Sequence, residues 1–169
     1  MSTDIYGWVE THFGDKPEWD AAIRIRPIVH RQYGMFASLF GVRNAGLAGS
    51  SGVMGRGVTA VGRFRAIAPG RGAPRGASEY FSEEFDGAGI GATWVLWSEL
   101  AAVDWEEEGD EYRDNEPPHV VYLAPGPGRR RERRGDYVNG GWATLFELMR
   151  VLAEQFGAAN VRLSVWFDE

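Results

Sequence analysis

The chain has 169 residues, a hydrophobic fraction of 44% and a formal net charge of -6, which suits one domain built on one core. It has no cysteine, so a disulfide framework, a thiolate metal site and a cysteine nucleophile are excluded. The acidic balance argues against a general nucleic-acid binder, which needs a basic face to displace counterions, and no run approaches the roughly 18 apolar residues of a membrane span.

The first ten residues lack the basic and then apolar regions of a secretory leader, so a cytoplasmic protein is expected. Asp4 to Glu10 reads as a strand, with Ile5, Gly7 and Val9 on one face and Tyr6, Trp8 and Glu10 on the other. Thr11 to Glu18 holds Gly14-Asp15 and Pro17 and reads as a loop. Trp19 to Arg26 reads as a second strand, with Ile23 and Ile25 inward, joined to the first as an antiparallel hairpin. Pro27 ends it. A helix is predicted over 29–40, where Tyr33, Phe36, Ala37 and Phe40 make one apolar stripe and Gly41 a C-cap.

Residues 44–62 are glycine-rich and are expected to form a mobile loop. A short strand over 63–68 and an irregular turn over 69–74 follow. Ser78 is the expected N-cap of a short helix that docks Phe81 and Phe85. Ala92 to Trp97 has the composition of a central strand. Ser98 would cap a short helix over 99–103, with Glu99 favourably placed against its dipole. Residues 104–135 form a charged surface excursion, acidic to Glu116 and basic from Arg129 to Arg134. A strand over 120–123 lies between the two runs, which would face each other across a hairpin. The clearest helix runs from Gly140 to Phe156, with Asn139 and Gly157 as its caps. Val161 to Phe167 alternates as a final strand, with Arg162, Ser164 and Trp166 on its second face. This order favours an α+β fold over 1–169: a mostly antiparallel sheet with two long helices packed on one face and a long glycine-rich loop.

Few motifs carry chemistry. His12, His30 and His119 are scattered without metal-ligand spacing, so neither a metal nor a cofactor is expected. Gly87-Ala88-Gly89-Ile90-Gly91 precedes a strand rather than a helix, which suits a bulge better than a dinucleotide fingerprint. Arg43 and Asn44 follow the first helix, and Arg71 lies between glycines in a turn. With Ser78 they are the candidates for holding an anion; the competing reading is that they bond loop and helix backbone. Asp4, Glu10 and Glu99 are the candidate catalytic carboxylates. The acidic segment around Trp105 and Tyr112 reads either as a docking surface for a basic protein partner or as a solvated loop. The 129–134 run reads as a solvated tip.

The blocks Asp4 to Glu10, Leu39 to Asn44, Arg71 to Pro74 with Ser78, Thr93-Trp94 with Glu99-Leu100, and Val161 to Asp168 together resemble a family of small uncharacterised proteins of phages, prophages and actinobacteria. The resemblance covers most of the chain outside the glycine-rich loop and the charged excursion. It implies that Asp4, Glu10, Arg43, Asn44, Arg71, Ser78 and Glu99 cluster. Relatives often carry histidine at the position of Tyr6 and a His-Ser pair at Ile90-Gly91, so their absence here lowers the expectation of proton-transfer catalysis. The leading expectation is a non-catalytic binding or accessory protein associated with a phage or mobile element. The alternative is a small enzyme or sensor for an anionic, nucleotide-like ligand.

Overall fold

The computed structural model describes residues 3–44, 64–87, 89–109, 113–114, 121–122 and 131–168. In chain order its elements are β1 Asp4–Thr11, β2 Asp20–Arg24, α1 Tyr33–Met35 continued by a π turn Phe36–Phe40, α2 Glu79–Glu84, β3 Ile90–Leu96, α3 Trp97–Leu100, β4 Arg113–Asp114, β5 Val121–Tyr122, a 3-10 turn Arg134–Tyr137, α4 Gly140–Phe156, a 3-10 turn Ala158–Asn160 and β6 Val161–Asp168. This is an α+β fold in which every strand pairing is antiparallel. Its contacts divide into two compact units, one of Met1–Arg31, Gly70–Val103 and Val138–Glu169, the other of Gln32–Pro69 and Asp104–Tyr137.

The first unit holds a sheet of order β2-β1-β6-β3. Alternation in β1 and β6 sets Ile5 opposite Phe167 and Val9 opposite Leu163, and Val95 of β3 also pairs with Leu163. These side chains are fully buried and make one apolar face. The stripe Trp142, Leu145, Phe146 and Met149 of α4 is buried with them, and α4 packs against β1 and β6. Tyr6, Trp8 and Glu10 occupy the second face, opposite Trp166, Ser164 and Arg162. That face is covered too. Phe81 of α2 meets Trp166 edge-on at 5.2 Å, and Tyr80 lies 5.3 Å from Trp8. Gly7 has φ +148, and a Cβ there would lie 2.0 Å from the Ser164 carbonyl oxygen, so glycine permits the close approach of β1 to β6.

One strand expectation fails. Residues 92–97 were expected to be central, yet β3 is an edge strand and β6 is interior. The edge of β3 is covered by the segment before α2: Gly72 N–H donates to Ala92 O at 2.8 Å, and the Arg71 head group donates to Trp94 O at 3.2 Å. Gly91, with φ +62 inside β3, lies in a register shift between Ile90 and Thr93, as the bulge reading requires. In α3, residue 96 is the N-cap rather than Ser98, and Glu99 accepts the Leu96 N–H at 3.0 Å. Ser78 does cap α2, accepting the Phe81 N–H at 3.2 Å. Asn139 and Gly157 bound α4, although the Asn139 side chain makes no cap bond.

In the second unit the predicted 29–40 helix is shorter, starting at Tyr33. Val29, which belongs to the first unit, instead closes a turn onto Ile25, and Pro27 offers no donor for a preceding helical turn. Tyr137 stacks directly above Gly34, where a Cβ would lie 2.1 Å from its ring. Residues 64–68 form no strand. The acidic and basic runs face each other as expected. Glu108 bridges Arg133 antiparallel, Arg133 pairs with Glu106, and β4 pairs β5 further along. The solvated-tip reading fails for Arg134, which is 1% exposed. Its guanidinium donates to Ser38 O at 2.6 Å, to Arg65 O at 2.5 Å and to both Glu107 oxygens, and lies 5.0 Å from the Phe64 ring centre. Five donors on a planar fork let one arginine bind three chain segments at once. The glycine-rich loop of 45–62 lies outside the described residues.

Candidate functional site

The second face of the sheet carries two arginine–carboxylate constellations, both in the first unit. Glu10 is fully buried. Its Oε1 accepts the Ser78 N–H at 2.7 Å; its Oε2 accepts Arg162 Nε at 2.7 Å and Ser164 Oγ at 2.6 Å. Arg162 continues outward, donating to the carbonyls of Arg75 at 3.1 Å and Gly76 at 3.4 Å, with its guanidinium 4.0 Å from the Trp19 ring centre. Burial pushes the Arg162 guanidinium below its ordinary pKa, and the Glu10 carboxylate opposes that shift. The second constellation is bidentate: Arg71 donates to Glu99 Oε2 at 2.8 Å and Oε1 at 2.7 Å, with its guanidinium 4.9 Å from the Trp94 ring centre. The hydrogen bond from Arg71, with help from the Leu96 N–H and the arginine's charge, holds the Glu99 carboxyl below the usual carboxylate value against the effect of burial.

Between these constellations lies a cleft of about 460 Å³. Trp19, Trp94, Leu96, Ala73 and Ala159 give it apolar walls; Arg71, Arg75 and Arg162 give it three guanidinium groups. Arg71 and Arg162 are each neutralised by a carboxylate. Arg75 differs: its side chain is exposed and, among the described residues, has no hydrogen-bond or ion-pair partner. Its backbone is nevertheless fixed. The Arg75 carbonyl is held by Arg162, and the next residue, Gly76, has φ +59 and accepts the Trp19 N–H at 2.8 Å. A Cβ at Gly76 would lie 2.2 Å from the Pro17 carbonyl oxygen.

The candidates from sequence fall into separate groups. Glu10 and Ser78 meet directly, and Arg71 meets Glu99. Asp4 pairs with Arg31 at 2.8 Å and Arg26 at 3.6 Å. Arg43 and Asn44 belong to the second unit. There Arg43 lies over the Tyr33 ring at 4.7 Å, and the Asn44 amide exchanges two hydrogen bonds with the Phe64 backbone, at 2.7 and 3.0 Å. Trp105 is half-buried and its carbonyl accepts the Gly135 N–H; Tyr112 lies outside the described residues. Trp19, Arg75 and Arg162 were missed as site residues. Arg162 and Trp19 look like ordinary strand residues in one dimension. The available signal was Pro74-Arg75-Gly76, an arginine in a turn framed like Arg71.

A second groove of about 370 Å³ is lined by Tyr6, Trp166, Arg24, Glu84, Asp86, Gly89 and Asp168. Its lining cation Arg24 pairs with Glu84 at 3.2 Å, and the Tyr6 ring that lines it is covered by Arg26 at 4.5 Å. Among the described residues no group of three His, Asp or Glu side chains could hold a metal ion, and no helix is long and apolar enough to cross a membrane. Comparison with protein-family models, with curated proteins and with solved structures found no match to this chain.

Proposed function

We propose that this chain is a binding protein rather than a catalyst, and that it holds a small anionic ligand in the cleft between Trp19 and Trp94. The observation that carries the reading is Arg75: an unpartnered guanidinium on a backbone fixed by Arg162 and Gly76, at the rim of a cleft with aromatic walls. The backbone under this donor is already ordered, so an arriving anion has only the side chain left to order, and it displaces no internal partner. Catalysis is disfavoured by the lining itself. Among the described residues no histidine, serine or carboxylate lines the cleft. The adjacent carboxylates, Glu10 and Glu99, are each committed to an arginine and a backbone N–H, which leaves no poised general base. The resemblance to small phage and actinobacterial proteins fits an accessory role beside a mobile element.

The test is a thermal-shift panel of nucleotides, sugar phosphates and organic carboxylates on the wild type and Arg75→Ala. A ligand at a hundred times its Kd stabilises the native state by about 2.7 kcal/mol. The expected result is a rise in Tm for one class, lost in Arg75→Ala, with the compound recovered unchanged. No rise with any anion, or chemical conversion of the bound compound, overturns the reading.

A further inference from the structure

The charge and shape of the same cleft narrow its ligand class; this step rests on the binding reading above. Arg71 is cancelled by Glu99 and Arg162 by Glu10, so Arg75 alone gives the cleft a surplus of one positive charge. A carboxylate carries one negative charge near neutral pH. A phosphate monoester carries about 1.5 to 2 and would leave negative charge uncompensated beside apolar walls, where that is unfavourable. Arg162 adds direction. Its side chain is 5% exposed. It spends one N–H on Glu10 and two on backbone carbonyls, which leaves two of its five donors on a residue that lines the cleft.

The walls select for a flat, apolar body. Each indole packs against a guanidinium, Trp19 against Arg162 at 4.0 Å and Trp94 against Arg71 at 4.9 Å, and Trp19 also meets the His12 ring at 5.3 Å. Both rings are therefore positioned before any ligand arrives, and Leu96 adds aliphatic surface between the arginines. Rigid rings recognise planar partners by stacking, at low entropic cost.

We propose that the cleft binds an aromatic monocarboxylate, its ring against Trp19 and Trp94 and its carboxylate on Arg75 and the remaining donors of Arg162. The probe is 2-naphthoate, titrated calorimetrically into the full chain beside 2-naphthamide, cyclohexanecarboxylate and adenosine monophosphate. The indole N–H resonances of Trp19 and Trp94, assigned with Trp→Phe variants, are followed in parallel. The expected result is that 2-naphthoate shifts both resonances and binds about tenfold or more tighter than each of the other three. Arg75→Gln, an exposed substitution that leaves the fold intact, loses about tenfold, as the loss of one charge-assisted contact requires. Equal binding of the amide removes the anion from the proposal, and equal binding of cyclohexanecarboxylate removes the ring. Tighter binding of adenosine monophosphate replaces the carboxylate by a phosphate; each of these results overturns the proposal. If 2-naphthoate leaves both indoles unmoved while another anion raises Tm through Arg75, the ligand class falls and the binding reading stands. If no anion does so, both fall.

Discussion

Glu10→Gln is the sharpest perturbation of the first unit, because it removes a charge without removing volume. The Glu10 carboxylate is fully buried and accepts from Ser78 N, Arg162 Nε and Ser164 Oγ at 2.6–2.7 Å. An amide has one acceptor oxygen and one donor group. In either orientation its NH2 faces an N–H or a guanidinium, and Arg162, 4% exposed, keeps its positive charge with no counterion. Breaking a buried pair from one side costs about 3–5 kcal/mol, a large share of a total stability of roughly 5–15 kcal/mol. The double variant Glu10→Gln/Arg162→Met removes the conflict: the amide oxygen takes the Ser78 N–H, and the NH2 donates to a reoriented Ser164 hydroxyl. Equilibrium urea unfolding of the wild type, both single variants and the double variant closes the cycle, with a coupling of about 2 kcal/mol or more expected. Asp4→Asn is the control, since the exposed Asp4–Arg31 pair is worth under about 1 kcal/mol. A Glu10→Gln cost below about 1 kcal/mol, or strict additivity of the two single variants, refutes the claim that this pair is an electrostatic unit.

Three further outcomes follow from the same geometry. Arg134→Ala orphans the carbonyls of Ser38 and Arg65 and the Glu107 carboxylate. It should cost about 3 kcal/mol or more, seen as lost hydrogen-exchange protection around Ser38 and Arg65, and Arg134→Lys should not restore it, because one ammonium cannot span three partners. Gly7→Ala places a Cβ 2.0 Å from the Ser164 oxygen at a φ that disfavours side chains. It should cost about 3 kcal/mol or more, and a circular-dichroism melt within a few degrees of wild type would contradict the β1–β6 approach. Glu99 has its folded-state pKa lowered from 4.5 by Arg71, so its stabilising contribution is complete above pH 4.5 and is lost as pH falls through the lower folded-state value. The difference between wild type and Glu99→Gln should stay level, under about 1 kcal/mol after solvent screening, at neutral pH and shrink to nothing in acid; a difference that grows on acidification has the wrong sign.

Local pattern made much of the fold legible. The alternation in β1 and β6, the Ser78 cap and the long stripe of α4 need only neighbours in sequence, and each is found where the residues place it. Strand order is a non-local property, and there the reading of β3 as a central strand failed, since it lies at the end of the sheet order. Arg162, Ser164 and Trp166 look solvent-facing in a one-dimensional pattern. They are buried because α2 and the segment before it cover the second face, which no periodicity within β6 records. Arg134 was read as a solvated tip for the same reason, since its partners Ser38 and Arg65 are 96 and 69 residues away in the chain. In the candidate site, Glu10–Ser78 and Arg71–Glu99 were recognised as residue types and even meet as pairs. Their roles depend on which donors each carboxylate already serves, and that is fixed only by the fold.

That dependence bears directly on function. Arginines and carboxylates are the ingredients of a catalytic or anion-binding site, and Arg71, Arg162, Glu10 and Glu99 supply both. Each is spent on a partner within the first unit. What the spending accomplishes is rigidity: Arg162 links β6 to Glu10 on β1, to Trp19 before β2, and to the backbone of Arg75, while Arg71 ties its turn to β3 and α3. The two neutral pairs frame the cleft, and on the proposed reading the working charge is Arg75, whose backbone Arg162 holds and whose guanidinium neither pair neutralises. On the binding reading proposed above, such a site would gain affinity from a preorganised frame, while the carboxylates able to move a proton, Glu10 and Glu99, are bonded into that frame.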